Sequence, residues 1–174
     1  MAGLGSLGER QDILLPVRVR TIAASLLAAL VLDFLPWGDV RLAPQFASIV
    51  LVFWCVRQPL RVGLGIGWAL GLLADAGNGV LLGQHALAYS LLAFLAVTLA
   101  RRILWFGPWG QALHVAVLLL VAQGVSLLVR IVAGAEFPGW QIFVGPLAGA
   151  ALWPALSWLL LLPQRRPLRS EEPL

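Results

Sequence analysis

Residues 112–132 read ALHVAVLLLVAQGVSLLVRIV, an apolar stretch whose only charged residue, Arg130, lies near its end. About 20 helical residues are needed to cross the hydrocarbon layer of a membrane. The stretch therefore predicts a transmembrane helix. The whole chain of 174 residues has the same character, because 60% of them are hydrophobic and only 11% are charged. A soluble domain carries about 25% charged residues, so the composition excludes a soluble enzyme, a disordered chain and a disulfide scaffold.

Five further apolar segments accompany this one, and together they predict an all-α bundle of six transmembrane helices. They are residues 17–36, 44–56, 62–76, 80–100 and 140–162. The segments 44–56 and 62–76 are short, and alone they could form the arms of a re-entrant hairpin. We interpret them as two thin spans, because a re-entrant loop would hold Arg57 and Arg61 at membrane depth at a cost of about 2.5 kcal/mol or more each. Residues 75–79, DAGNG, are expected to form the turn before the next span.

The arginines predict which side of the membrane each segment faces. With the N-terminus inside, ten of the twelve arginines fall on the cytoplasmic side, which is the bias expected of a multi-pass protein. Only Arg41 and Arg130 fall outside. We therefore expect a cytoplasmic N-terminal segment (residues 1–16), a transmembrane domain (17–162) and a cytoplasmic tail (163–174).

Four arginines at the cytoplasmic ends of spans are interpreted as topology anchors, namely Arg57, Arg61, Arg101 and Arg102. They could also meet anionic lipid or a cytoplasmic partner. Because the arginines stand at segment ends rather than along one face, they do not indicate binding to nucleic acid.

No pattern of catalytic, cofactor-binding or metal-ligating residues occurs in the sequence. A phosphate-binding loop, a paired cysteine–histidine spacing and a nucleophile elbow are all missing. The two histidines, His85 and His114, fall on different spans near opposite membrane faces, and the single cysteine, Cys55, lies within an apolar run. We predict neither an enzyme nor a cofactor or metal site.

The third span carries a regular stripe of small residues that ends in a carboxylate. Gly63, Gly67, Gly71 and Asp75 are spaced four apart and therefore lie on nearly one helix face. Glycine lets a second helix approach closely. The stripe is either a packing surface within this chain, with Asp75 wetted at the outer border, or a candidate interface for a helix of a partner or for a ligand.

Four ionisable residues map to the outer ends of their spans, namely Asp33, Asp75, His85 and Arg130. Ionisable groups within a membrane are often functional, and at one depth these four could form a hydrogen-bonded cluster. In that cluster Arg130 would pair with one of the aspartates. Alternatively, each group reaches water separately.

A family resemblance emerges from residues 63–93, GLGIGWALGLLADAGNGVLLGQHALAYSLLA. A glycine-spotted helix ends in Gly-Leu-Leu-x-Asp at residues 71–75, and a short turn leads to Leu-Gly-x-His-Ala-Leu at residues 82–87. Matching pieces flank it at residues 35–37, 51–54, 58–63, 153–154 and 163–166. In this order, from about residue 15 to 166, the chain resembles the MreD family of rod shape-determining proteins.

The resemblance implies a non-enzymatic, multi-pass protein of the bacterial cytoplasmic (inner) membrane with both termini cytoplasmic. It implies binding to MreC and, through the rod complex or elongasome, association with MreB, RodA and a class B penicillin-binding protein. That complex supports lateral peptidoglycan synthesis and rod cell shape. The resemblance leaves open which helices contact MreC and whether a lipid or a lipid-linked precursor binds.

Two alternatives to the scaffold remain open. The family also resembles the substrate-binding membrane subunits of energy-coupling-factor vitamin importers, which are six-helix bundles with an outward-facing pocket. A small-molecule-binding importer subunit would place Asp33, Asp75, His85 and Arg130 around such a pocket. An intramembrane enzyme would need a converging nucleophile or metal set, which the sequence does not contain.

Overall fold

The structure is a computed structural model, and it describes residues 18–36 and 44–162. The predicted terminal segments, residues 1–16 and 163–174, lie outside the described residues, as does Arg41.

The described residues form six α-helices and one short 3₁₀-helix, so the all-α prediction is confirmed. The elements are α1 (Val19–Asp33), α2 (Phe46–Arg57), α3 (Leu64–Asn78), α4 (Gln84–Trp105), α5 (Pro108–Val132), the 3₁₀-helix Trp140–Phe143 and α6 (Val144–Leu161). Each apolar segment of the sequence corresponds to one α-helix.

Three predicted boundaries around α3 and α4 are wrong. The turn expected at residues 75–79 comes later, because α3 continues to Asn78 and the chain turns between Gly79 and Gly83. These two residues have φ angles of +62° and +107°, which glycine adopts without steric cost. The helix α4 therefore begins at Gln84 instead of residue 80, and it continues past residue 100, so that Arg101 and Arg102 lie inside it.

Successive helices run in alternate directions. The ends of α1, α3 and α5 and the starts of α2, α4 and α6 surround one cavity, to which they contribute Asp33, Asn78, Arg130, Gln45, Gln84 and Gly145. We call this the cavity end of the bundle. The opposite end, which we call the arginine end, holds the described residues Arg18, Arg20, Arg57, Arg61, Arg101 and Arg102.

The short helix α2 forms the centre of the bundle. All ten of its residues from Ala47 to Val56 are buried, and α1, α4, α5 and α6 pack around it. The Phe53 ring contacts Trp54 edge-on at a centroid distance of 5.0 Å and approaches Trp153 at 6.1 Å. A helix that is apolar on all sides suits an enclosed position, which agrees with the run of apolar residues from Ile49 to Val56 in α2.

The longer helices present apolar side chains outward. Among the described helices, α4, α5 and the segment Trp140–Leu161 are long and apolar enough to cross a membrane. Large exposed side chains on their outer faces include Phe94, Leu113, Val117, Leu128, Leu147 and Trp158. A soluble protein rarely exposes so much contiguous apolar surface, so these faces indicate contact with lipid.

Candidate functional site

Asp75, near the end of α3, is fully buried and holds the start of α4. Its Oδ2 atom accepts hydrogen bonds from the backbone N–H groups of Gly83 at 2.8 Å and Ala86 at 3.3 Å. Its Oδ1 atom accepts one from the backbone N–H of His85 at 2.8 Å. The first N–H groups of a helix have no partner within that helix, and a carboxylate there also interacts favourably with the helix dipole. Asp75 is therefore a helix cap supplied by the preceding helix.

The same carboxylate orients the ring of His85. The Nδ1 atom of His85 lies 2.8 Å from Asp75 Oδ1. Because an ionised carboxylate only accepts hydrogen bonds, Nδ1 carries the proton in this contact and Nε2 remains for another partner. The ring also packs edge-on against Tyr89 at a centroid distance of 5.8 Å, and both residues line the cavity.

Asp33 performs the equivalent role one hairpin earlier. It is the last residue of α1, and its two carboxylate oxygens accept hydrogen bonds from the backbone N–H groups of Phe46 at 2.6 Å and Ala47 at 3.0 Å. These are the first residues of α2. The hairpins α1–α2 and α3–α4 are thus fastened in the same way at the cavity end.

The cavity has a volume of about 310 Å³ and is polar for a site inside an apolar bundle. Two side-chain hydrogen bonds cross it between helices. Gln45 Nε2 donates to Gln123 Oε1 at 3.1 Å, and Gln84 Nε2 donates to Ser126 Oγ at 2.9 Å. The cavity is therefore lined by neutral amide and hydroxyl groups together with ionisable side chains.

Three of the four ionisable residues that the sequence places at one depth line this cavity: Asp33, His85 and Arg130. Asp75 does not itself line the cavity, but it contacts His85, which does. The suggested pairing of Arg130 with an aspartate is not formed. Within the described parts of the chain, the ionisable side chain in contact with an aspartate is His85, whose Nδ1 lies against Asp75 Oδ1. The reason is that backbone N–H groups already occupy both carboxylates, while Arg130 is exposed at the end of α5.

The glycine stripe of α3 faces α4 of the same chain. A Cβ atom at Gly67 would lie 2.6 Å from the carbonyl oxygen of Tyr89, and one at Gly71 would overlap the backbone of Ala86. Packing within the chain therefore accounts for Gly67, Gly71 and Asp75, and a partner helix would reach them only by displacing α4. Gly63 precedes α3 and has open space at its Cβ position.

The four arginine anchors lie at the arginine end. The Arg57 guanidinium carbon lies 5.2 Å from the centroid of the Phe53 ring, a cation–π contact. Arg61 belongs to the turn between α2 and α3. Arg101 and Arg102 are exposed near the end of α4, where positive charge interacts favourably with the helix dipole.

Sequence reasoning missed the amide and hydroxyl residues of the cavity. Gln84 reads as an interruption at the start of a span and Ser126 as an isolated small residue. The available signal was that Gln123 and Ser126 lie three apart on α5, and hence on one face, near the same end as Gln84. Among the described residues, no group of three or more His, Cys, Asp or Glu side chains is placed to hold a metal ion.

Comparison with known proteins identifies the family. Residues 17–162 match the family model of the rod shape-determining protein MreD. The chain belongs to the MreD family. The MreD protein of Haemophilus influenzae, itself named a rod shape-determining protein, is 31% identical over 144 residues, which cover 82% of this chain and 87% of that relative. No solved structure matches the chain.

Membership in the MreD family confirms the resemblance recognised in residues 63–93. MreD proteins are membrane proteins that determine rod shape, and they do not form a known enzyme family. The residues of the MreD signature have a structural meaning in this chain. The aspartate of Gly-Leu-Leu-x-Asp is Asp75, and the histidine of Leu-Gly-x-His-Ala-Leu is His85, so the signature encodes the cap that joins α3 to α4.

Proposed function

We propose that this chain is a non-enzymatic component of the rod complex in the bacterial cytoplasmic membrane, where it binds MreC and supports lateral peptidoglycan synthesis and rod shape. The family match over residues 17–162 carries the proposal. MreB, RodA and a class B penicillin-binding protein would associate with it through the complex.

The proposed topology has six spans with both termini in the cytoplasm. Six of the described arginines lie at the arginine end and only Arg130 lies at the cavity end, which supports a cytoplasmic arginine end and a periplasmic cavity end. Helices α2 and α3 are shorter than a usual span, with 12 and 15 residues. A short α2 is tolerated because protein, rather than lipid, surrounds it.

The turn at residues 79–83 is the proposed contact for the periplasmic part of MreC. Leu81 and Leu82 are 55% and 69% exposed there. The turn leads into Gly83 and His85, whose backbone N–H groups are held by Asp75. Two apolar side chains on a fixed turn provide a preorganised contact surface.

The test replaces both leucines and follows MreC. The double variant Leu81→Ser, Leu82→Ser is expected to lose MreC when the tagged chain is purified from native membranes. As the sole copy of the gene in a cell, the double variant should fail to maintain rod shape, and the cells should become round. The control is Leu60→Ser, because Leu60 is 100% exposed in the turn at the arginine end; this variant should retain MreC and restore rods. Normal rods in cells without the gene would refute the proposed function, whereas retention of MreC by the double variant would refute this contact alone.

The cavity supports a second candidate function, a small-molecule-binding subunit of a vitamin-type importer. It lies at the proposed outer side, and Asp33, His85 and Arg130 line it. The same purification separates the two candidates, because an importer subunit would bring down ATPase subunits in place of MreC.

A further inference from the structure

We infer that the cavity is a binding site for an uncharged group of sugar size that bears hydroxyl and amide groups. The inference goes beyond the proposed function, because it concerns this chain alone and does not depend on binding to MreC.

The size and the opening of the cavity fit such a group. Its volume of about 310 Å³ is at the lower end of the range of about 300–1,000 Å³ for small-molecule sites. Val80, Gln84 and Arg130 also border an adjoining cleft of about 530 Å³. A ligand could therefore extend from the cavity into the cleft, as the headgroup of a larger molecule would.

The hydrogen-bonding groups of the cavity include both donors and acceptors. In the bond from Gln45 to Gln123, Gln45 uses one N–H and Gln123 uses its oxygen, which leaves the oxygen and one N–H on Gln45 and two N–H donors on Gln123. In the bond from Gln84 to Ser126, the oxygen and one N–H of Gln84 and the hydroxyl proton of Ser126 remain. A sugar hydroxyl is itself both donor and acceptor, so this mixture is complementary to it.

These groups are held in place before any ligand arrives. Gln84 and Ser126 are only 8% and 4% exposed, and they are fixed to each other across α4 and α5. None of their atoms is a buried polar atom without a partner among the described residues, so water can hydrate the remaining donors and acceptors. A ligand that satisfies several of them at once would replace that water without loss of hydrogen bonding.

The charges around the cavity favour an uncharged ligand. The formal charges of Asp33 and Arg130 cancel, and both carboxylate oxygens of Asp33 are engaged by backbone N–H groups. Arg130 is exposed and borders the outer cleft. An anionic ligand inside the cavity would face the Asp33 carboxylate. A cationic ligand would gain little from it, because the backbone N–H groups of Phe46 and Ala47 already occupy both oxygens.

The binding test uses the purified full chain in lauryldimethylamine oxide, because detergents with sugar headgroups would compete. Saturation-transfer NMR is measured with N-acetylglucosamine, cationic glucosamine and anionic glucuronate. We expect saturable binding of N-acetylglucosamine and at least about tenfold weaker binding of both charged sugars. Absence of saturable binding, or preference for a charged sugar, would overturn the inference.

Variants locate the binding. Gln123→Ala and Ser126→Ala each remove hydrogen-bonding groups from the cavity and are expected to weaken binding about threefold to tenfold. Gln58→Ala, in the turn at the arginine end, is the matched control and should bind like the wild-type chain. Thermal melting of each variant identifies any that is misfolded, and equal binding by the folded cavity variants and wild type would contradict the assignment.

A final experiment distinguishes a lipid-linked sugar from a free sugar as the ligand. In nanodiscs, a lipid that carries an N-acetylglucosamine headgroup should displace the free sugar if the natural ligand is lipid-linked. If only the soluble sugar binds, the site takes a free ligand.

Discussion

Asp33 and Asp75 show how a single carboxylate can organise a membrane protein. Asp33 is the last residue of α1 and Asp75 lies near the end of α3, and each accepts backbone hydrogen bonds from the start of the next helix. Within a bilayer every backbone N–H must find a partner, so these side chains replace the water that a soluble helix would use. The sequence places Asp75 on the glycine stripe of α3. The expectation that packing within the chain leaves it wetted at the outer border is wrong, because Asp75 is fully buried.

Replacing Asp75 tests the cap. Asp75→Asn keeps the size of the side chain but replaces one acceptor oxygen with an N–H₂ group, which would face backbone N–H donors. We expect a loss of about 2–4 kcal/mol in the free energy of unfolding, measured by reversible unfolding in detergent micelles. Glu136→Gln is the control, since Glu136 is exposed in a loop; an equal loss in both variants would contradict the capping role.

The sequence analysis places His85 in one cluster with Asp75, but the backbone partners of Asp75 could not be predicted from the sequence. Its hydrogen bonds depend on the course of the turn. Because the turn begins at Gly79 instead of Asp75, it places His85 next to the Asp75 carboxylate. A local pattern of turn residues marks the neighbourhood of a turn, but it does not determine the residue at which the helix stops.

At the scale of helices, α3 and α4 are joined by direct backbone contact. The sequence predicts that glycines spaced four apart lie on one face of α3. This is correct for Gly67 and Gly71, both of which lie against α4. The sequence could not decide whether the helix opposite belonged to this chain or to another, because small residues favour close approach by any helix.

Two alanine variants on α3 separate packing from helix propensity. Gly71→Ala is expected to lower the free energy of unfolding by about 1–3 kcal/mol or more, because the new methyl group would overlap the backbone of α4. Gly65→Ala is the control on the same helix. It has open space at Cβ and should be neutral or stabilising by up to about 1 kcal/mol. Similar unfolding curves for the two variants would disprove the packing argument.

The attachment of α1 provides a second test at this scale. This helix packs chiefly against α2, where Trp54 Nε1 donates a hydrogen bond to Ser25 Oγ at 2.8 Å. Trp54→Phe should cost about 1 kcal/mol or more through loss of this bond and of ring volume. The control is Trp158→Phe, because Trp158 is 55% exposed, and we expect little change in its free energy of unfolding. A double-mutant cycle with Ser25→Ala gives the coupling energy, and a coupling of zero would exclude a contribution from the hydrogen bond.

At the scale of the whole molecule, labelling tests the proposed orientation. Leu82→Cys and Leu60→Cys place a thiol on exposed turns at the cavity end and the arginine end. In intact spheroplasts a membrane-impermeant maleimide should label only the first, and disruption of the membrane should expose the second. The native Cys55 is buried and serves as the unlabelled background. Labelling of Leu60→Cys in intact spheroplasts would reverse the orientation.

Local patterns account for much of this fold and for little of its cavity. The apolar runs locate all six α-helices, and residues 63–93 identify the family. The enclosure of α2 and the pairing of Gln84 with Ser126 depend on contacts between residues far apart in the chain, 42 positions in the case of that pair. Contacts between such distant residues produce no regular pattern in the sequence. The cavity therefore becomes visible only in the assembled bundle.

The matching carboxylate caps have a mechanical consequence. The described ends of the hairpins α1–α2 and α3–α4 are clamped together where the cavity opens. The hairpin of α5 and α6 also lines the cavity. A change in the width of the cavity is therefore expected to come from one hairpin moving against another, and not from the two helices of a clamped hairpin parting.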